Sequence, residues 1–223
     1  MQERYIRNIP ALSEEECLLL QSKKIGIVGC GGLGGHLTEL ISRIGCKEIV
    51  LIDGDVFEPS NLNRQLYSST TSLGKSKVVS AAKRVQEINP DIQVTYHETF
   101  LTEENASTLI KDCDIILDGL DGIQARKTLK QACNKANIPY IYGAIAGWVA
   151  QAAVSMPGDH LLDLIYPEHV EIKDKSALSF TVAFCAAMQV SLCVKVLTER
   201  PVKTGTLYYF DLLHQEYEVI PMQ

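Results

Sequence analysis

The stretch GCGGLGG, residues 29–35, constrains this chain more than any other, because it joins the apolar segment KIGIV to the helix-like HLTELISRIG. A strand, a glycine turn and a helix start make an anion-binding corner. Glycine tolerates positive φ, and the first N–H groups of a helix lack partners and point at whatever lies in front of them. After the turn, Leu33, Leu37, Leu40, Ile41 and Ile44 recur at helical spacing, and EIVLID (48–53) then reads as a second strand ending in an acid. Strand, turn, helix, strand, acid is the opening βαβ unit of a doubly wound, mainly parallel α/β fold. The motif alone leaves NAD, FAD, ATP and a purely structural turn open.

The alternation continues along the chain. Ser13 with Glu16 three positions on marks a capping box for a first helix over 12–21. Helices are predicted over 74–88, over 102–111 with Thr102 as cap, and over 122–137. Strands are predicted over 92–100, 114–121, 139–147 and 149–156. Residues 159–176 have no clean period and read as a loop or flap. A long apolar helix over about 177–198 and a closing antiparallel hairpin (TLYYFDLL, EYEVIPM) complete the order. We therefore expect one domain over 1–223: a helical arm (1–23), a nucleotide-binding core (24–158), the flap (159–176), and the helix with the hairpin (177–223).

Asp53 lies nineteen residues beyond Gly34, where a nucleotide fingerprint places the acid that holds ribose hydroxyls. The next stretch, DGDVFEPSNLNRQLY (53–67), discriminates between nucleotides. It sets Asn61, Asn63, Arg64 and Gln65 on the ligand side of the sheet. A dinucleotide site has use for an arginine there only to meet a 2′-phosphate, which Asp53 would repel. A triphosphate needs a fixed cation, and a planar guanidinium fits its oxygens in a fork. GKSK (74–77) adds Lys77 at a helix start, where a bound phosphate would offset the unfavourable macrodipole; Lys75 reads as a solvated face. DGLD (118–121) ends another strand, so Asp118 and Asp121 are expected on the same crevice rim as Asp53. Carboxylates beside triphosphate-binding cations suggest Mg²⁺. Read alone, Asp118 could simply cap the next helix.

In this order and at these separations, GCGGLGG, IDGD, SNLNRQ, GKSK and LDGLD resemble the MoeB/ThiF/HesA family, relatives of the adenylating half of ubiquitin-activating enzymes. The resemblance runs from RYIRN (4–8) to the hairpin. It implies binding of ATP·Mg²⁺ and adenylation of the C-terminal glycine carboxylate of a small ubiquitin-like sulfur carrier, a ThiS/MoaD-like protein ending in Gly-Gly. By position, Gly29, Gly31, Gly32 and Gly34 would let phosphates approach the backbone. Asp53 would hold the ribose, with Asp55 close by. Asn61, Arg64, Gln65 and Lys77 would surround the triphosphate, and Asp121 would hold Mg²⁺. Arg7 matches an arginine that reaches the ATP of the other subunit, which implies a homodimer. Arg126 is expected on the same wall as Asp121.

Departures from the family pattern matter equally. The seven cysteines never form C-x-x-C, so no zinc is expected; they read as reduced, buried thiols. The flap holds no cysteine, and Cys185 sits in the apolar helix, so adenylation without a thioester step is the reading. Gly122 stands where an asparagine commonly follows the metal acid. His160 and His169 read as plain flap residues, and position alone recommends Trp148 as a contact for adenine or the carrier. A formal charge of −6 counts against a broad nucleic-acid surface. No secretory leader is visible, and no apolar run reaches the roughly 18–20 residues of a membrane span, so a cytoplasmic location is expected. The competing readings are the same chemistry on another carboxylate, such as a modified tRNA base, an NAD(P) oxidoreductase, and a binding protein that has lost turnover.

Overall fold

Five short segments build the parallel part of one sheet: β1 (Lys24–Val28), β2 (Glu48–Ile52), β3 (Gln93–His97), β4 (Ile115–Asp118) and β5 (Tyr140–Ala146). The computed structural model describes residues 2–168, 174 and 176–222. Three antiparallel strands follow: β6 (Val149–Ser155), β7 (Thr206–Asp211) and β8 (Glu216–Pro221), giving the order β3-β2-β1-β4-β5-β6-β7-β8. β1, β2 and β4 read as nearly continuous apolar runs because helices cover both faces of the sheet there, and their side chains are almost all buried. The chain runs outward from β1 to β2 and β3, then returns to β4 and β5. The carboxyl ends of β1 and β4 therefore flank a topological switch point, the position where open α/β sheets hold ligands.

Helices α1 (Glu14–Leu20), α2 (Gly32–Ile44), α3 (Lys77–Ile88) and α5 (Ile123–Ala136) lie close to their expected positions. In α1, Ser13 Oγ accepts from Glu16 N–H and the Glu16 carboxylate accepts from Ser13 N–H, so the capping box is formed. The same carboxylate ties the arm to the end of the apolar helix, where the Arg200 guanidinium bonds both its oxygens. The bond from Arg200 and the Ser13 N–H lower the Glu16 carboxyl to about 2. A depressed carboxylate contributes its stability above its unfolded value and loses it as pH falls through the folded one. An NMR titration should therefore place Glu16 near 2, and Arg200→Ala should return it toward the ordinary glutamate value.

Three expectations need correction. The helix over 102–111 contracts to α4 (Ala106–Leu109), because Thr102 and Asn105 bond each other's backbone N–H and close a turn ahead of it. The flap is not all loop. Asp159 gathers Ser155 Oγ and the N–H groups of Met156 and Leu161, and α6 (Leu161–Ile165) follows, with Leu161, Leu162 and Tyr166 buried. One and a half turns is too short to show a period, which is why the sequence pattern missed it. His169 lies outside the described residues.

The third correction concerns the apolar helix α7 (Ser179–Leu197), which is long and apolar enough to cross a membrane by length and composition, with a mean hydropathy of 1.9. Here it packs between α2 and strands β5 and β6, and Val182, Cys185, Gln189 and Cys193 are buried. A helix enclosed on most sides needs apolar residues all round, and burial explains the composition.

Candidate nucleotide-binding site

An open cleft of about 640 Å³ lies over the carboxyl ends of β1, β2 and β4. Its floor is the glycine turn. Gly29 has φ +88, and a Cβ on it would sit 2.6 Å from the Gly119 carbonyl oxygen. A Cβ on Gly119 would meet the Gly29 carbonyl oxygen at 2.5 Å, so the turns after β1 and β4 are in backbone contact. Gly34 is glycine for a related reason: a Cβ there would overlap the Gly29 carbonyl oxygen. It is therefore packed against its own turn and does not line the cleft, which corrects the phosphate-facing role expected for it. Gly31 and Gly32 do face the cleft, beside Gln65 and Arg64. The first bond of α2 runs from Gly35 N–H to the Gly31 carbonyl, which leaves the preceding amides without intrahelical partners.

Asp53 ends β2 and borders the cleft. One of its oxygens accepts from Cys30 N–H at 2.6 Å and the other from Asp55 N–H at 2.8 Å, and each keeps lone pairs for a further donor. Burial raises its carboxyl against the opposing pull of those N–H groups and of Lys77. Phe100 and Leu101, which follow β3, form the apolar wall on this side.

The cations arrive on the loop after β2 and at the start of α3. Arg64 Nη1 donates to the Ser60 carbonyl and to Asn63 Oδ1, both at 2.9 Å, and the side chain lines the cleft. Gln65 is buried beside Gly31, and its Oε1 finds no hydrogen-bond partner among the described residues. A buried orphan amide facing a nucleotide-sized cleft fits a site that a ligand completes. Lys77 is the first residue of α3, buried, with its ammonium on the Asp55 carboxylate. Partial burial pushes the Asp55 carboxyl up, but the bond from Lys77, the Val56 N–H and the charge of Lys77 together outweigh it and lower it. The Asp55 carboxylate offsets the unfavourable position of the lysine at the helix start.

Three residues stand apart from the cluster. Asn61 is not a cleft residue: its side chain accepts from Glu58 N–H at 3.0 Å, and its carbonyl accepts from the N–H groups of Arg64 and Gln65. It braces the loop that presents them. Asp118 is fully buried and so is not on the rim; it pairs with Arg126, while Asp121, three residues past the strand end, is exposed at the cleft. Arg7 is exposed on the 3-10 helix Glu3–Asn8 and is not among the residues lining its own chain's cleft. The buried tyrosines beside Arg126 were missed, although Tyr140 and Tyr142 in PYIYG share one strand face by simple alternation.

All seven cysteines are buried. Cys185 is pushed up to about 12 by burial, so it has the character of an inert apolar thiol. Among the described residues no three His, Cys, Asp or Glu side chains gather as a metal cage. Asp121, exposed at the cleft, fits the donor chemistry of Mg²⁺, which takes one or two protein carboxylates and otherwise water and substrate phosphates.

The glycine turn, the acid that ends β2 and the cations gathered at the switch point belong to a Rossmann-like α/β fold. The ThiF family matches residues 3–223, and the chain belongs to that family. It is 28% identical to the SAMP-activating enzyme E1 of Haloferax volcanii over 98% of this chain and 84% of that protein. It is 31% identical to the probable adenylyltransferase/sulfurtransferase MoeZ of Mycobacterium tuberculosis over 99% of this chain, and spans 60% of that longer protein. Among solved structures, Escherichia coli MccB with ATP superposes with a TM-score of 0.83 at 23% identity, covering 100% of this chain and 72% of MccB, a likeness of fold.

Proposed function

We propose that this chain is an ATP-dependent adenylyltransferase that activates the C-terminal glycine carboxylate of a small ubiquitin-like sulfur carrier. The observation that carries the reading is the convergence of Arg64, Gln65, Lys77 and Asp121 on one cleft around the glycine turn. In the reaction a carboxylate oxygen attacks the α-phosphorus, the α–β bridging bond breaks, and pyrophosphate leaves with the electron pair. The carboxylate is already ionised at neutral pH, so no general base is needed. Repulsion between two anions is the obstacle, and fixed cations offset it. Arg64 and Lys77 would hold the phosphate oxygens, Lys77 exchanging part of its Asp55 contact for them. Gly31 and Gly32 let the chain approach closely, and Asp53 would accept from the ribose hydroxyls. Bound Mg²⁺ would neutralise phosphate charge, with Asp121 as its protein ligand.

Two further parts belong to the same reading. Arg7, exposed at the N-terminus, would complete the site of a second copy, so the working form is a homodimer. The acyl adenylate would pass to an external acceptor, because every thiol of this chain is buried. A cytosolic location goes with such a role.

The test is ATP–pyrophosphate exchange with purified protein and carriers ending in Gly-Gly. Exchange should require the carrier's free C-terminus and should persist in Cys185→Ser. Exchange with a short peptide acid or a tRNA-derived carboxylate, and with no carrier, would move the activity to another substrate. ATP binding without any exchange would leave a binding protein, and no ATP binding would overturn the reading.

A further inference from the structure

The transfer of the adenylyl group makes no direct use of the most deeply buried charges in the molecule. Asp118, at the end of β4, is fully buried, and Arg126, in the first turns of α5, is 4% exposed. Arg126 Nη1 donates to Asp118 Oδ2 at 2.9 Å and to the Gly143 carbonyl at 2.7 Å. The Tyr140 hydroxyl donates to the same Asp118 oxygen, and Gln189 Nε2 donates to the Asp118 carbonyl at 2.8 Å. The guanidinium lies over the Tyr142 ring at 5.2 Å. Buried ion pairs of this kind are weak contributors to net stability compared with apolar residues of similar volume. What this one does is visible in where its remaining bonds go. Asp118 Oδ1 accepts from Leu120 N–H at 2.8 Å, and Arg126 Nη2 donates to the Leu120 carbonyl. Both polar groups of one residue are gripped by the two halves of the pair. That residue lies between Gly119, in contact with the glycine turn, and Asp121, at the cleft.

We infer that Arg126 is a positioning residue: with Asp118 it clamps Leu120 and thereby sets the carboxylate of Asp121 relative to the glycine turn. The inference rests on the reading that Asp121 holds the Mg²⁺ of bound ATP. Arg126→Lys keeps a cation beside Asp118 but cannot span Asp118, Gly143 and Leu120 together. Lys130→Met serves as the control, since Lys130 is also buried on α5 but pairs with Asp159 outside the cleft.

The readout is Mn²⁺ binding to the enzyme–ATP complex, followed by water-proton relaxation. Arg126→Lys should raise the half-saturating Mn²⁺ about tenfold, the lower end of losses on removing a group that orients a metal ligand. Asp121→Asn should move it in the same direction, and Lys130→Met should leave it unchanged. If Asp121→Asn raises it and Arg126→Lys does not, the positioning role is wrong and the metal reading stands. If neither raises it, the metal reading fails and the inference with it. Hydrogen exchange on the wild-type chain decides the matter should Arg126→Lys not fold. The Leu120 amide should exchange as slowly as the interior of β4 before nucleotide is added, and rapid exchange there would overturn the clamp.

Discussion

Arg64→Ala is expected to lower carrier-dependent ATP–pyrophosphate exchange by about 10²–10³-fold, the range for removing one fixed donor from a developing anion. The side chain sits between Gly32 and the loop braced by Asn61, and its Nη1 is already aligned by Ser60 and Asn63. Little reorganisation would be needed when the phosphate charge grows. Arg64 is half-buried at the cleft margin and its neutral truncation leaves no buried charge behind, so the melting temperature should change little. Arg64→Lys should recover only part of the loss, because an ammonium cannot bond two oxygens in a plane. A variant that loses exchange and melts at the wild-type temperature supports the assignment. Full exchange in Arg64→Ala would remove Arg64 from the reaction.

Gly34→Ala should damage the fold itself. The added methyl group would overlap the carbonyl oxygen of Gly29, a backbone atom held against Gly119 and anchored by the bond from Gly29 N–H to the Ile52 carbonyl at 2.7 Å. A flexible side chain could swing away; this backbone has no such freedom. The cost should be about 3 kcal/mol or more, at the upper end of overpacking effects. In urea the unfolding midpoint should fall by about 1 M or more. Gly122→Ala is the matched control, because a Cβ there meets nothing within 4 Å and φ is −103°. Equal midpoints for the two variants would show that the turn relaxes and that the contact with Gly29 is not what requires glycine.

Much of this protein is readable from local pattern. Strands β1, β2, β4 and β5 were visible as short apolar runs, and α1 was visible through Ser13 and Glu16. Long helices such as α7 show themselves because many residues repeat one preference. Short ones show less: α6 does not show at all and α4 shows only as part of a longer helix over 102–111, because they are set by the bonds of Asp159, Thr102 and Asn105, and no period forms over four or five residues. In the candidate site, motif order singled out Arg64, Gln65, Lys77 and Asp121, and all four border one cleft. The roles of Gly34, Asn61 and Asp118 were misread because each occurs within a motif but turns its chemistry inward.

Residue type and spacing alone determined the alternation of strands and helices, the glycine turn, and the ordered motifs that mark the family. These are properties of neighbours in sequence, where the 2.0 and 3.6 periods and the φ freedom of glycine act directly. Which side of a motif faces a ligand was decided only when β1 and β4 came together. Gly29 and Gly119 then touch, Asp118 is enclosed with Arg126 and Tyr140, and Asp121 is left in the open. Two carboxylates three residues apart acquire opposite surroundings because burial and partners come from distant parts of the chain.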